Sequence, residues 1–250
     1  MKLQNRIELF THLKNYFSTS PAEWQETTLK ASLHNPWFIP EFIEIAVNNI
    51  TAQFLDLDKM QRWVDFYHID DNIQSKNVGI VMAGNIPLVG FHDFLCAFIT
   101  GHKVHIKPAE KDTILLKHII NKLYEWAPET KELIFIEEML KGCDAYIATG
   151  SNNTARYFDH YFGKYPSIIR KNRTSVAILS GQESDAELEK LTDDVHLYFG
   201  LGCRNVTKIF VPEQYDFVPL LNSFRKYSYF SDNGKYKNNY DYNLSILLLN

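Results

Sequence analysis

Glycine is scarce in this sequence, at eleven of 250 residues, against an ordinary usage of about 7%. That excludes a collagen-like or low-complexity chain and makes each glycine worth locating. Cysteine is scarcer: Cys96, Cys143 and Cys203 form an odd, widely spaced set. No Cys-x-x-Cys pair and no Cys/His group with zinc spacing occurs, so neither a disulfide framework nor a metal site is expected. A reduced, cytoplasmic setting fits better. An excess of one charge is also lacking. Twenty-six Lys and Arg face thirty Asp and Glu, a net charge of −4, which leaves no electrostatic footprint for nucleic acid. Met1 to Glu8 carries charges where a signal peptide needs an apolar run. The longest apolar stretch, Val78 to Gly101, is interrupted by Asn85-Ile86-Pro87 and His92-Asp93. Those groups are costly in lipid, so it reads as a buried strand, a loop and a buried helix rather than a membrane span.

What remains is the composition of a soluble globular protein, 45% hydrophobic and 22% charged, long enough to bury a core without staples. Apolar residues at helical spacing mark three N-terminal helices: Ile7, Phe10, Leu13 and Phe17; then Phe42 to Ile50 after Pro40; then Leu57 to Tyr67. Asn35-Pro36 breaks the first two apart. Beyond the polar segment 70–77 the rhythm changes. Strands are expected at Val78–Met82, Lys103–Lys107, Leu133–Ile136 and Ala145–Ala148. Helices are expected at Leu88–Ile99, Thr113–Trp126 and from Ser151 through Phe158. Such alternation indicates βαβ units and an open, mainly parallel sheet. Further on, Thr174–Leu179 and Thr207–Val211 read as strands, Asp185–Tyr198 and the stretch from Glu213 as helices. The terminal run Leu244 to Asn250 reads as strand-like, wanting a partner within the fold or in a longer parent chain.

Ligands on such sheets bind beyond the carboxyl ends of the strands, which directs attention to a few loops. Asn85, in Ala83-Gly84-Asn85-Ile86-Pro87, offers an amide to an oxyanion, or is a turn former. Lys107 in Lys107-Pro108-Ala109-Glu110 reaches a nucleotide ribose or phosphate, or is an ordinary solvated turn. Thr149-Gly150-Ser151 opens a helix whose N–H groups favour an anion, or Ser151 is simply a cap. No Gly-x-Gly-x-x-Gly fingerprint is present. Cys203, after Gly200 and Gly202 and before Arg204, is the candidate nucleophile, with a small hydrophobe in a tight turn as the alternative. Cys96 and Cys143 read as structural, and the basic run Arg170-Lys171-Asn172-Arg173 as a local solvated segment.

In order, Asn85-Ile86-Pro87, Lys107-Pro108-Ala109-Glu110, Thr149-Gly150-Ser151 and Gly200-Leu201-Gly202-Cys203 resemble the aldehyde dehydrogenase superfamily over about Val78 to Pro212. Two departures matter. Leu201 replaces the glutamine of the cysteine motif. Ile169 stands where the family's general-base glutamate belongs, and isoleucine removes no proton. Loss of that base suits reduction of an acyl-thioester over oxidation of an aldehyde. Asn35-Pro36-Trp37-Phe38, Gly84-Asn85-Ile86-Pro87 and Phe199 to Asn205 look most like bacterial acyl-CoA reductases of the LuxC type.

The resemblance implies an aldehyde-dehydrogenase-like α/β fold with a Rossmann-type sheet. Its divisions are a helical segment over 1–76, a nicotinamide-cofactor domain over 77–172 and the start of an incomplete catalytic domain over 173–250. It implies Cys203 as nucleophile, Asn85 as oxyanion donor, Lys107 toward the cofactor ribose, Gly150 and Ser151 toward its pyrophosphate, and Glu110 as a further cofactor-binding residue. NADPH is favoured, with NADH left open. The acyl donor is an acyl-CoA or an acyl-carrier or acyl-transferase protein, and homo-oligomers remain open. The alternatives are an NAD(P)-dependent aldehyde or semialdehyde dehydrogenase, and a non-catalytic nucleotide-binding pseudo-enzyme or fragment.

Overall fold

The computed structural model describes residues 1–249. They divide into two compact units: residues 1–35 with 39–171, and residues 36–38 with 172 onward.

The first unit opens with four helices, α1 (Leu3–Thr19), α2 (Ala22–His34), α3 (Pro40–Gln53) and α4 (Leu57–Phe66). The sequence periodicity anticipates three of them. It misses α2, whose buried stripe is Trp24, Thr27 and Ala31, a pattern with one large apolar side chain and little helical signal. A parallel sheet follows: β1 (Asn77–Val81), β2 (Lys103–Lys107), β3 (Ile134–Ile136), β4 (Ala145–Thr149) and β5 (Ser167–Arg170), in spatial order β3-β2-β1-β4-β5. Helices α5 (Phe91–Ile99), α6 (Thr113–Trp126) and α7 (Asn152–Phe162) connect strands of the sheet. The strand order reverses between β1 and β4, so the loops that follow those two strands flank the reversal, where open α/β sheets bind ligands.

The core of this unit is aromatic. Phe10 of α1 meets Phe91, Phe94 and Phe98 of α5 edge-on at ring distances of 6.1, 5.8 and 5.7 Å, the geometry ring quadrupoles favour. Val78 to Ile80 of β1 are buried, as a strand covered on both faces requires. The stretch from Val78 to Gly101 is a strand, a loop and a helix, as read from its sequence. Among the described residues no helix is long and apolar enough to cross a membrane.

The second unit pairs β6 (Ser175–Ile178) with β7 (Val206–Phe210) in parallel, joined through α8 (Asp185–His196). Its core gathers Leu188 and Leu191 of α8 and Leu220 of α9 (Val218–Phe224), with Ala177, Leu179 and Ile209 against them. The C-terminal apolar run is not a strand. It ends a helix, α10 (Gly234–Leu249), in which no residue is buried. A short apolar run carries no period of its own, and here the local helical hydrogen bonds decide its form. Asn250 lies outside the described residues.

Candidate active site

On the first unit, the loop after β1 is pressed against the segment after β2. A Cβ at Gly84 would stand 2.6 Å from that of Ala109, so only glycine permits this approach. The helix expected from Leu88 begins three residues later, at Phe91, because Leu88 is turned into the left-handed region at φ 54°. Its N–H donates to Asp112 Oδ2 at 2.7 Å. Asp112 is buried, and its other carboxyl oxygen has no hydrogen-bond partner among the described residues. Burial therefore raises its pKa well above the usual carboxylate range, against the single backbone hydrogen bond from Leu88. Sequence reading passed over Asp112; its only signal is a lone acid just after a Lys-Pro-x-Glu turn. Asn85 lies half-buried in the loop so held.

Lys107 is exposed at the end of β2, and its ammonium donates to the Glu138 carbonyl. Glu110 is exposed in the following turn. At the end of β4, the Gly150 N–H donates to the Arg170 carbonyl at 3.2 Å. Ser151 is the N-cap of α7: its hydroxyl accepts from the Thr154 N–H at 3.2 Å. The sheet thus brings the Asn85 loop, Lys107, Glu110, Gly150 and Ser151 to its one carboxyl edge.

Ile169 lies in β5, a strand that sequence reading did not anticipate, and its neighbour Arg170 corrects the reading of a merely solvated basic run. The Arg170 guanidinium donates to Asp93 of α5, which is buried.

On the second unit, Cys203 sits in a turn between a 3-10 segment (Leu197–Gly200) and β7. Its side chain is exposed, and no group among the described residues hydrogen-bonds its thiol. The turn is costly to build. Tyr198 and Phe199 both have φ 57°, left-handed values worth roughly 1–2 kcal/mol each for residues other than glycine. This is why the helix expected through Tyr198 stops at His196. Burial of Phe199 offsets the cost: its ring packs on Trp37, Phe230 and Tyr236 at 5.4, 4.4 and 5.3 Å. Asn205 then ties the turn together from inside. Its carbonyl accepts from Gly202 N–H at 2.7 Å, and its amide donates to the Asp194 and Leu197 carbonyls at 2.9 and 3.1 Å. A Cβ on Gly202 would collide with that side chain at 2.6 Å. Asn205 positions the cysteine turn and went unnoticed in the sequence beyond its place beside the motif. Cys143 is buried, and burial pushes its thiol pKa up. A groove of about 470 Å³ between α8 and α9, lined by Asp185, Leu188, Val218 and Asn222 among others, holds none of the residues singled out from sequence.

The topology defines an open parallel α/β sheet with a second, smaller α/β unit. Comparison with known proteins narrows that class. No protein-family model and no curated protein matches the chain. Solved structures do match. An aldehyde dehydrogenase from Bacillus cereus, solved as its NAD+ complex, aligns with TM-score 0.68 and 16% identity over 90% of this chain and 50% of that one. An indole-3-acetaldehyde dehydrogenase complexed with NAD+ aligns at 0.67 and 12%, over 90% and 51%. Aldehyde dehydrogenase 21 from Physcomitrella patens, in complex with the reaction product succinate, aligns at 0.66 and 14%, over 90% and 51%. The fold is aldehyde-dehydrogenase-like, and the chain spans about half the length of these three structures.

Proposed function

We propose that this chain carries the cofactor-binding part and the nucleophile of an NADPH-dependent acyl-thioester reductase, which converts a long-chain acyl-CoA or acyl-protein to the aldehyde. The observation that carries the reading is one of order and place. Asn-Ile-Pro, Lys-Pro-Ala-Glu and Thr-Gly-Ser stand at the carboxyl ends of β1, β2 and β4, three adjacent strands of an aldehyde-dehydrogenase-like sheet, and the glycine-flanked Cys203 follows on an exposed turn.

The residues present fit a nicotinamide dinucleotide. The turn into α7 offers helix N-terminal N–H groups toward a pyrophosphate at Gly150 and Ser151. Lys107 and Glu110, both exposed, supply a cation and an acceptor suited to a ribose. When bound in reduced form, such a cofactor supplies the hydride that turns an acyl-cysteine into a hemithioacetal. The chain's own chemistry falls to Cys203. Its thiolate adds to the thioester carbonyl, the new C–S bond forms, and the CoA or carrier thiolate leaves with the electrons of the old one. After reduction, the bond to Cys203 breaks, the aldehyde departs and the thiolate is restored. The role of Asn85 as amide donor to the oxyanion rests on the sequence resemblance alone. Reduction is preferred to oxidation because Ile169 leaves the acyl-enzyme without the carboxylate that would activate water.

Incubating the purified protein with a long-chain acyl-CoA tests the reading. Mass spectrometry is expected to find the acyl group on the Cys203 peptide, with no adduct in Cys203→Ala. Acyl-CoA-dependent NADPH consumption accompanies it and is lost in the same variant. Absence of the adduct, with both proteins alike in NADPH consumption, overturns the proposal. The second reading, an NAD(P)-dependent aldehyde dehydrogenase, is supported by the aldehyde dehydrogenases among the matched structures. Aldehyde-dependent reduction of NAD+ or NADP+ that disappears on substitution of one carboxylate would select it.

A further inference from the structure

Cys96 has been given no role above, yet its surroundings are not those of an inert thiol. The sequence presents it as a structural cysteine. The structure leaves it half-exposed, with Sγ 3.5 Å from His92 Nε2. The two residues are one turn apart on α5, the spacing that puts side chains on one helix face. The other ring nitrogen of His92, Nδ1, stands 3.5 Å from Asp93 Oδ1. Asp93 is buried and is held in turn by the Arg170 guanidinium from β5. Thiol, imidazole, carboxylate and guanidinium form a single line, in which the imidazole is both oriented and charge-compensated. That is the arrangement by which a neighbouring histidine activates a cysteine.

We propose that Cys96 is a second reactive thiol of this chain, activated by His92 and Asp93, and that it undergoes exchange with low-molecular-weight disulfides. At neutral pH the His92 imidazole is already cationic, so the thiol proton leaves to water and the thiolate is paired with the imidazolium at Nε2. The thiolate attacks one sulfur of the disulfide and a new S–S bond forms. The old S–S bond breaks and its electrons leave on the expelled thiolate, which takes a proton from water. Cys96 is thereby oxidised to a mixed disulfide, and half of the small disulfide is reduced to thiol.

Three contrasts support the assignment. Cys143 is buried, with a thiol that burial keeps protonated. Cys203 is exposed, and among the described residues no base stands against its sulfur. His92, unlike His102, His118 and His196, whose pKa values burial lowers, has its pKa raised to about 9, through Asp93 first and Cys96 second, against the desolvation that would lower it. A cationic imidazole at neutral pH stabilises the thiolate, the form that attacks. The groups facing His92 are Asp93 and Cys96 from its own helix and the ring of Phe54, beyond α3, at 5.0 Å. Arg170 from β5 faces Asp93 and, at longer range, Cys96. Both outer charges favour an ion pair between sulfur and imidazole.

The test uses the full chain carrying Cys203→Ala, so that its outcome is independent of the proposed acyl chemistry. Iodoacetamide alkylation is followed peptide by peptide across a pH series, and oxidised glutathione serves as the disulfide probe. Cys96 is expected to react about tenfold faster than an unstructured cysteine peptide at neutral pH. Its rate should persist to lower pH, and it should form the mixed disulfide while Cys143 does not. His92→Gln removes the advantage and shifts the pH–rate profile upward, Asp93→Asn weakens it, and His92→Lys, which retains a cation, restores part of it. A Cys96 rate and pH profile matching those of the free peptide in the parent protein overturns the proposal. So does a rate unchanged by His92→Gln. If the Gln variant fails to fold, the comparison between parent protein and peptide decides alone.

Discussion

At the scale of single residues, the candidate site is held by side chains that do no chemistry. Asp112 is the clearest. It is buried with one carboxyl oxygen unpartnered among the described residues, and the other fixes the left-handed Leu88 beneath the Asn85 loop. A carboxyl whose pKa rises on folding binds its proton more tightly in the native state. Its contribution is complete below the ordinary carboxylate pKa, near 4, and is lost as pH rises through the raised native value. Asp112→Asn keeps an oxygen for the Leu88 N–H but cannot ionise. The expected result in urea unfolding is near-equal stability of the two proteins at acid pH, and a growing advantage for the variant as pH increases. A parent protein whose stability matches the variant at every pH would show that Asp112 does not titrate across the range. Neither this aspartate nor Asn205 was legible as important before the structure. Motif reading finds residues that meet a ligand, whereas both of these act on backbone N–H and carbonyl groups of their own loops. Gly84 and Gly202 were legible as glycines worth locating. Their reason, Cβ clashes with Ala109 and Asn205, was not.

Elements were legible in proportion to their period and burial. Lys103–Lys107 and Thr113–Trp126 emerge with the bounds read from sequence, because one is a short run between turns and the other buries Leu115, Leu116, Ile119, Ile120 and Leu123 at helical spacing. Strand β5 escaped because it has four residues at the sheet edge, with Ser167 and Ile168 exposed. Helix α7 shows how an element and a site compete for one side chain. The sequence offers Ser151 both as an anion contact and as a cap, and in the structure its hydroxyl accepts the Thr154 N–H. Replacing it by alanine should cost about 1 kcal/mol of stability whether or not nucleotide binds. Ser151→Asp separates the two roles, since aspartate caps as well as serine and suits the positive helix end, but repels a pyrophosphate. Thermal melts should place Ser151→Asp near the parent protein and Ser151→Ala below it. Calorimetry with NADPH should find binding weakened most in Ser151→Asp. Equal NADPH affinity in all three proteins would leave Ser151 a cap only.

At the scale of the whole molecule, the two units differ in how completely they bury what is apolar. The first encloses Phe10, Phe42, Phe91, Phe94 and Phe98. The second rests on Leu188, Leu191 and Leu220 and leaves one face of its two-stranded sheet bare. Side chains alternate across a strand, so Ala177 and Ile209 point into the core while Val176, Ile178 and Phe210 stand out. Ile178 is 80% exposed, and Phe210, its partner in the register, 45%. Leu247, Leu248 and Leu249 of α10 are exposed as well. Two strands alone make a marginal sheet, and contiguous apolar surface of this kind marks an interaction surface or a liability to associate. In the aldehyde dehydrogenases compared above, the aligned segment is about half of a longer polypeptide. The expected consequence is self-association. In sedimentation velocity the weight-average coefficient of the 250-residue chain should rise with concentration, and a dye specific for apolar surface should fluoresce in its presence. The double substitution Ile178→Lys with Phe210→Lys, both at exposed positions, should abolish the concentration dependence and reduce the dye signal while leaving the helical circular dichroism unchanged. A parent protein that sediments as a monomer at every concentration and binds no dye would mean that this face is covered in solution by the chain itself.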